Sequence, residues 1–525
     1  MQKDCTHGVQ LCVIKRKGGI KMKFNVTTKT LSKTTNYEGA AAFILAPEME
    51  LYTLVVTAGL SGQFYEAADD KLARLRTLIA KNDPLFVARL AVYAREEMHL
   101  RSIPLVLTVE LARLESGNSL IATLANRVIQ RADEITELMA YYVLANERTG
   151  IKKLNKLSKQ LQKGLAMAFN KFSAYQFAKY NRDAAIRLRD VLFVVHPKAK
   201  DAAQQELFNE IANNQLEAPY TWEVELSVLG KVKFFSEAEK TAAFCAKWEE
   251  LIYSNKLGYM ATLRNLRNIL MAGISDAALE KVCGFIGDAK AVAASKQLPF
   301  RFLAAYREIK ALENGRVGEI LDALETAVLC SAANINGYAA DTKLVIAADV
   351  SGSMQAPVSA KSKILNYDIG LMLAMLLQNR CDDVVVGMFG DQWKTITVSR
   401  KNILANVQEF YRREGEVGYA TNGHLVIKDL LERRLVKDKI MLFTDCQLWN
   451  NNGAATIKDY WKQYKKLVPA AKLYLFDLAG YGKVPLNIEQ NDVYLLAGWS
   501  DKIFDVLAAL DKGGSALEII NRIVI

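Results

Sequence analysis

Nowhere in its 525 residues does the sequence hold an uncharged apolar run of the roughly 18 residues that a membrane helix needs. The most apolar stretches, such as Ala40 to Leu60, are interrupted by Glu48 and Glu50, so no membrane span is expected. Lys15, Arg16 and Lys17 are followed by no apolar core, so a secretory signal is not expected; Met22 is an alternative start. Histidine is scarce: His7, His99, His196 and His424 stand apart from one another and from cysteine, so the spacing of a structural zinc site is missing. Cysteine is odd in number, and Cys5, Cys12, Cys245, Cys283, Cys330, Cys381 and Cys446 form no Cys-x-x-Cys pair. That pattern reads as reduced thiols in a cytoplasmic, soluble chain. No general base is paired with a nucleophile, no glycine loop is built for phosphate, and no second carboxylate cluster supports a two-metal site. An enzyme is therefore not expected.

What is present is uneven charge. The net charge is +11, and the window Ile151 to Lys200 alone sets twelve basic residues against Asp183 and Asp190. They are Lys152, Lys153, Lys156, Lys159, Lys163, Lys171, Lys179, Arg182, Arg187, Arg189, Lys198 and Lys200. Charge gathered in one place calls for a polyanionic partner, whereas charge spread evenly only aids solubility. The spacing of Lys152, Lys156, Lys159 and Lys163 predicts one exposed helical stripe, with Leu154, Leu157 and Leu161 on another face. Between Phe169 and Arg182, aromatic residues interleave with basic ones, a composition suited to stacking unpaired bases beside neutralised phosphates. The competing reading makes Phe169, Phe172 and Phe177 core and the lysines a solvated face.

From residue 36 to 340 the apolar spacing is that of helices 10 to 20 residues long, with breaks at Asn82-Asp83-Pro84, Ile103-Pro104, Ser116-Gly117-Asn118, Gly150, His196-Pro197 and Gly315. Residues 1 to 35 read as a partly disordered extension. From 341 to 525 the pattern alternates: strands are predicted at Lys343 to Val350, Asp383 to Phe389, Ile396 to Val398, Lys439 to Phe443, Lys472 to Phe476 and Val493 to Leu496, with helical segments between most of them. Near-continuous apolar strands alternating with helices predict a doubly wound, mostly parallel sheet, giving an α plus α/β chain overall. Ligands of such sheets bind beyond the carboxyl ends of the strands.

At the first of those ends, Asp349-Val350-Ser351-Gly352-Ser353 places one carboxylate and two hydroxyls around a tight loop. Thr421 in a Gly-flanked loop and Asp445 after Lys439 to Phe443 are further oxygen donors. Hard oxygen ligands of this kind suit a divalent cation, magnesium above all. The plainer alternative is a turn in which Asp349 caps the helix behind it. DVSGSM, the distant threonine and FTD together resemble the metal-ion-dependent adhesion site of von Willebrand factor A domains. That resemblance implies Asp349, Ser351, Ser353, Thr421 and Asp445 as ligands, and an acidic group from a partner at the remaining position.

The helical part carries a second resemblance. Lys179-Tyr180-Asn181-Arg182, LRDVLFVVHPKAK (188 to 200), ATLRNLRNI (261 to 269) and PFRFLAAY (299 to 306), followed by the alternating region, look like the TROVE module of Ro ribonucleoproteins. The resemblance implies HEAT-like helical repeats closed into a ring, small structured Y RNA on a basic outer surface, and single-stranded 3′ ends of misfolded RNA in the ring's hole. It puts Lys179, Arg182, Arg187 and His196 at or near the outer surface, and Arg264 and Arg267 along the hole. For the two arginines salt bridges compete equally, and a helix-terminating His-Pro is the simpler reading of His196. An RNA-processing nuclease or other acidic protein at the metal site is the expected protein partner of a monomeric chain. A metal-dependent protein-interaction module without RNA is the alternative.

Overall fold

The computed structural model describes residues 31–57, 67–115, 117–147, 157–181, 184–332, 341–358, 362–449, 455–488, 490–500 and 502–525. Lys152, Lys153, Lys156, Arg182, Cys5, Cys12 and His7 lie outside them.

The described residues begin with a hairpin instead of a helix. β1 (Lys33–Thr35) pairs antiparallel with β2 (Ala41–Ile44), so the expected boundary at residue 35 falls inside a hairpin. From Pro47–Val56 to Val317–Ala332 the described residues form helices joined by short turns. Local chemistry explains the ends. Asp83 accepts the amides of Leu85 and Phe86 at 2.8 and 3.1 Å, with Pro84 at the first helical position, where a missing N–H costs nothing. Pro104 does not break the chain as its sequence implied, because it falls in the first turn of Ser102–Leu114.

The grammar changes at β3 (Lys343–Asp349), followed by β4 (Asp383–Phe389), β5 (Trp393–Thr395), β6 (Lys439–Thr444), β7 (Lys472–Asp477), β8 (Lys483–Val484) and β9 (Val493–Ala497). The strand expected at Ile396 to Val398 lies instead at Trp393–Thr395, on the edge of the sheet. The sheet order is β5-β4-β3-β6-β7-β9, parallel throughout except for β5. β8 pairs with β2, so the N-terminal hairpin belongs structurally to the sheet region.

Alternation along β3 assigns its two faces. Val345 and Ala347 pack with Ile440, Leu442, Leu473, Leu475 and Trp461 in one core, under the helices His424–Glu432 and Ile457–Leu467. Leu344, Ile346 and Ala348 join a second core that runs without interruption into the helical region. Helix Asn366–Arg380 lies in that second core and is buried from Asn366 to Gln378. A helix apolar on every side is what such a sandwiched position requires. Arg307 crosses the same boundary, its guanidinium forking onto Asp368 at 2.7 and 2.6 Å. No helix among the described residues is long and apolar enough to cross a membrane. Cys245, Cys283, Cys330, Cys381 and Cys446 are free thiols.

Candidate functional site

The strand order reverses direction between β3 and β6: from β3 the chain moves outward to β4 and β5, then returns to the other side through β6, β7 and β9. In doubly wound sheets that reversal leaves a crevice at the carboxyl ends. Asp349, the last residue of β3, and Asp445, the residue after β6, both stand there.

Hydrogen bonds shape the loops around them. The Ser351 amide donates to Asp349 Oδ1 at 2.9 Å and the Thr444 hydroxyl to Asp349 Oδ2 at 2.6 Å. Ser351 Oγ and Ser353 Oγ are 3.3 Å apart. The Gln447 amide donates to Asp445 Oδ1 at 3.0 Å. The second loop is tied to the first by the Gly352 amide, which donates to the Tyr419 carbonyl at 3.4 Å. Asp349, Ser351, Ser353, Thr421 and Asp445 are each less than 5 % exposed. The five residues read from sequence thus lie on neighbouring loops of one buried crevice.

Burial, and the charge of Asp445, push the Asp349 carboxyl well above the usual carboxylate range; burial does the same to Asp445. Thr421 Oγ1 and Asp445 Oδ2 are buried without a hydrogen-bond partner. Two dehydrated carboxylates and orphaned oxygens are unfavourable by themselves and favourable around a cation. Among the described residues no three His, Cys, Asp or Glu side chains gather as a metal site, so a cation here relies on hydroxyls. The donor chemistry fits magnesium, which takes oxygen ligands and keeps water among them.

His424 is more than nine-tenths buried and stacks on Tyr460 with ring centroids 6.0 Å apart, a packing role. Sequence reasoning missed a third carboxylate, Asp477 at the end of β7, which burial pushes up to about 6 and which accepts the amides of Ala479 and Gly480.

The basic window is resolved into roles. Of the four-lysine stripe, Lys159 and Lys163 lie on the helix Lys159–Phe169, which Ser158 caps, and are exposed, while Leu161 and Leu165 are buried; Lys152 and Lys156 lie outside the described residues. Phe169, Phe172 and Phe177 are core. Lys171 turns its ammonium onto the carbonyls of Asn126 and Ile129, at the end of helix Leu120–Val128. Partial burial there pulls it down to about 8, so this lysine is largely committed to the fold. Lys179, Arg187, His196, Lys198 and Lys200 are exposed, and Arg189 is half-buried beside the Phe193 ring. His196 ends the helix Leu188–Val195 in the left-handed conformation, φ 47°, which is a structural reason for its position.

Lys179 and Arg264 line one cavity of about 980 Å³, with Tyr175, Tyr180 and Trp222 in its wall. The sequence reading had divided these two cations between different surfaces. Arg264 also lines a neighbouring cavity of about 570 Å³ with Arg267 and Arg301. Arg267 reaches Glu308 at 3.6 Å, the ion pair anticipated as its competing role. Arg264 and Arg301 both line this cavity, and desolvation together with the charge of Arg264 lowers the Arg301 guanidinium. Among the described residues neither has a carboxylate within ion-pair distance. Arg301 lies in the quoted PFRFLAAY string, yet nothing in its spacing showed that it shares a cavity with Arg264.

Comparison with known proteins gives this region a family. The TROVE domain profile matches residues 65–226 and 214–317. Telomerase protein component 1 of Mus musculus is 42% identical over 99 residues, 19% of this chain, and that of Rattus norvegicus is 41% identical over 99 residues. The matched stretch spans only 3% of the length of either relative. The crystal structure of the Deinococcus radiodurans RO (RSR) protein is similar with a TM-score of 0.56 at 18% identity, covering 88% of this chain and 99% of that one. At that identity the likeness is one of fold.

Proposed function

We propose that this chain, whose residues 65–317 match the TROVE domain profile and whose fold is like that of a Ro protein, is a non-catalytic RNA-binding component of a ribonucleoprotein. In this reading the helices from Pro47–Val56 to Val317–Ala332 form a HEAT-like ring. Its outer cations, Lys159, Lys163, Arg187, Lys198 and Lys200, hold a small structured RNA of the Y type, and Lys179, Arg264 and Arg301, which line adjoining cavities, receive single-stranded 3′ ends of misfolded RNA. Residues 341 to 525 act as a von Willebrand factor A-type domain holding magnesium.

The observation that carries the reading is that Arg264 and Arg301 line one cavity that adjoins another walled by Tyr175, Tyr180 and Trp222, with Arg264 lining both. Two cations without a carboxylate are stabilised by an anion, and aromatic walls accept unpaired bases. Sequencing RNA crosslinked to the protein in its own cell tests this. Enrichment of a small structured RNA and of single-stranded 3′ tails is the expected result; crosslinks no more abundant than those of an Arg264→Glu/Arg301→Glu variant refute it.

A second reading, a metal-dependent protein-interaction module, is favoured by the orphaned oxygens of Thr421 and Asp445. The two are compatible: magnesium, when bound, supplies a Lewis-acidic position for a carboxylate, by which an acidic protein such as an RNA-processing nuclease docks beside the RNA.

A further inference from the structure

The helix Trp222–Leu229 buries none of its residues, although Trp222, Val224, Leu226, Val228 and Leu229 are apolar. Its first turns are fastened: Thr221 Oγ1 accepts the Val224 amide at 3.4 Å, Trp222 stacks on the buried Trp248 with ring centroids 6.3 Å apart, and Glu225 pairs with Lys247 at 3.2 Å. Its far end and the turn after it stand in water, with Val228 60% exposed, Val232 49% and Phe235 wholly exposed. Single apolar side chains scattered over a surface need no explanation, but three in one short segment mark a contact surface. Phe235 is nevertheless held in place. Its amide donates to Glu239 Oε2 at 2.8 Å, and Ser236 Oγ accepts the Glu239 amide at 3.1 Å, so the ring stands just before helix Glu237–Tyr253. Lys231 and Lys233, both exposed, alternate with Val232, and among the described residues neither pairs with a carboxylate. The carboxylates next in sequence are engaged elsewhere, Glu239 on the turn itself and Glu237 on Lys240 at 3.2 Å.

The same helix leads inward. Trp222, Glu223 and Val224 wall the cavity of about 980 Å³ that Lys179 and Arg264 also line. Val224 and Val228 are four residues apart and so share a helical face, which carries that wall outward to the exposed turn, roughly 12 Å along the helix axis. We propose that the turn, residues 230–236, is a contact for single-stranded RNA at the outer rim of this cavity: Phe235 stacks on an unpaired base while Lys231 and Lys233 neutralise the phosphates beside it. The proposal rests on the RNA-binding reading above and adds a site outside the two cavities. Two lysines without carboxylates call for an anionic partner. Continuity with the cavity wall calls for one that extends from the turn into the cavity, as a strand does and a membrane does not. An exposed ring offers its face to any base, so the contact holds a strand without reading its sequence. A strand held there engages the cavity in a second, intramolecular step.

The probe is an RNA hairpin, blunt-ended or carrying a single-stranded 3′ tail, titrated with the full-length protein and read by fluorescence anisotropy. Phe235→Ser is expected to weaken binding of the tailed RNA about tenfold and leave the blunt hairpin unchanged, with the same salt slope, since stacking releases no counterions. Lys231→Gln/Lys233→Gln should shallow the slope for the tailed RNA by roughly 1.4, the share of two single-strand phosphates. Phe235→Trp should keep the affinity, and its protein fluorescence should fall on adding the tailed RNA by more than the wild type's does. Phe235 packs against nothing, so these variants should melt with the wild type. Equal binding of the tailed RNA by Phe235→Ser and the wild type overturns the contact and leaves the RNA-binding reading standing. Vesicles of phosphatidylserine and phosphatidylcholine that sediment the wild type but not Phe235→Ser, with RNA affinity unmoved, give the turn to a lipid surface and overturn the contact equally. No RNA binding by the wild type overturns the RNA reading and this inference with it.

Discussion

Arg307 and Asp368 bind the helical region to the sheet region through a forked ion pair in which the carboxylate is wholly buried and the guanidinium only 22% exposed. Asp368 also accepts the Leu365 amide at 2.9 Å, capping helix Asn366–Arg380. Arg307→Ala leaves that carboxylate dehydrated and unpaired, and is expected to cost about 3–5 kcal/mol in urea unfolding. Arg307→Lys should recover only part, because an ammonium cannot supply the fork. Equal stability of the alanine variant and the wild type contradicts this role.

The crevice at Asp349 and Asp445 predicts stabilisation by magnesium. At a hundredfold excess over its Kd a bound ion adds about 2.7 kcal/mol, a shift of several degrees in melting by calorimetry. EDTA should reverse it, and Asp445→Asn should lose the response while keeping the far-ultraviolet circular dichroism. A Tm indifferent to magnesium in the wild type excludes a cation that binds the folded state.

Much of this crevice was legible in the sequence because its donors sit at short spacings or at the ends of recognisable apolar strands: Asp349, Ser351 and Ser353 within one loop, Asp445 one residue past β6. What was not legible depends on distant packing. Lys171 meets carbonyls 42 and 45 residues upstream. Asn36 meets Leu448 across 412 residues, so the hairpin was divided between an expected extension and an expected helical region. The cavity shared by Arg264 and Arg301 requires helices Tyr259–Met271 and Phe300–Lys310 to pack side by side. Periodicity found those helices and their buried faces, but not which charged residues would share a cavity.

Neighbouring lysines of the basic window should separate in behaviour. Lys171→Met removes a cation from a helix C-terminus and is expected to cost about 0.5–2 kcal/mol of stability with little effect on the salt dependence of RNA binding. Lys159→Gln/Lys163→Gln, both exposed, should keep stability and flatten that salt dependence. Unfolding curves and anisotropy titrations on the same samples check both, and the reverse pattern would show the roles exchanged.

His99 adds a pH dependence. Burial, and then Lys296, Lys502 and Arg95, lower its pKa from 6.5 to about 4. The folded state therefore favours the neutral ring. Its contribution is fully present above pH 6.5 and is lost as pH falls from 6.5 towards 4, because the unfolded chain takes up the proton first. His99→Asn, which tolerates the left-handed backbone at φ 54°, should flatten stability against pH within that window. Parallel curves for variant and wild type, measured by urea unfolding, contradict the assignment.

The most direct test of RNA recognition is the affinity, across a salt series, for an RNA hairpin with a single-stranded 3′ tail against the same hairpin blunt-ended. Log K should fall linearly with log salt, the tailed RNA should bind more tightly, and Arg264→Ala/Arg301→Ala should lose that preference. Lys159→Glu/Lys163→Glu should weaken both RNAs and shallow the slope by roughly 0.7–0.9 for each phosphate contact removed. Binding that ignores salt, or slopes and tail preference unchanged in these variants, would contradict it.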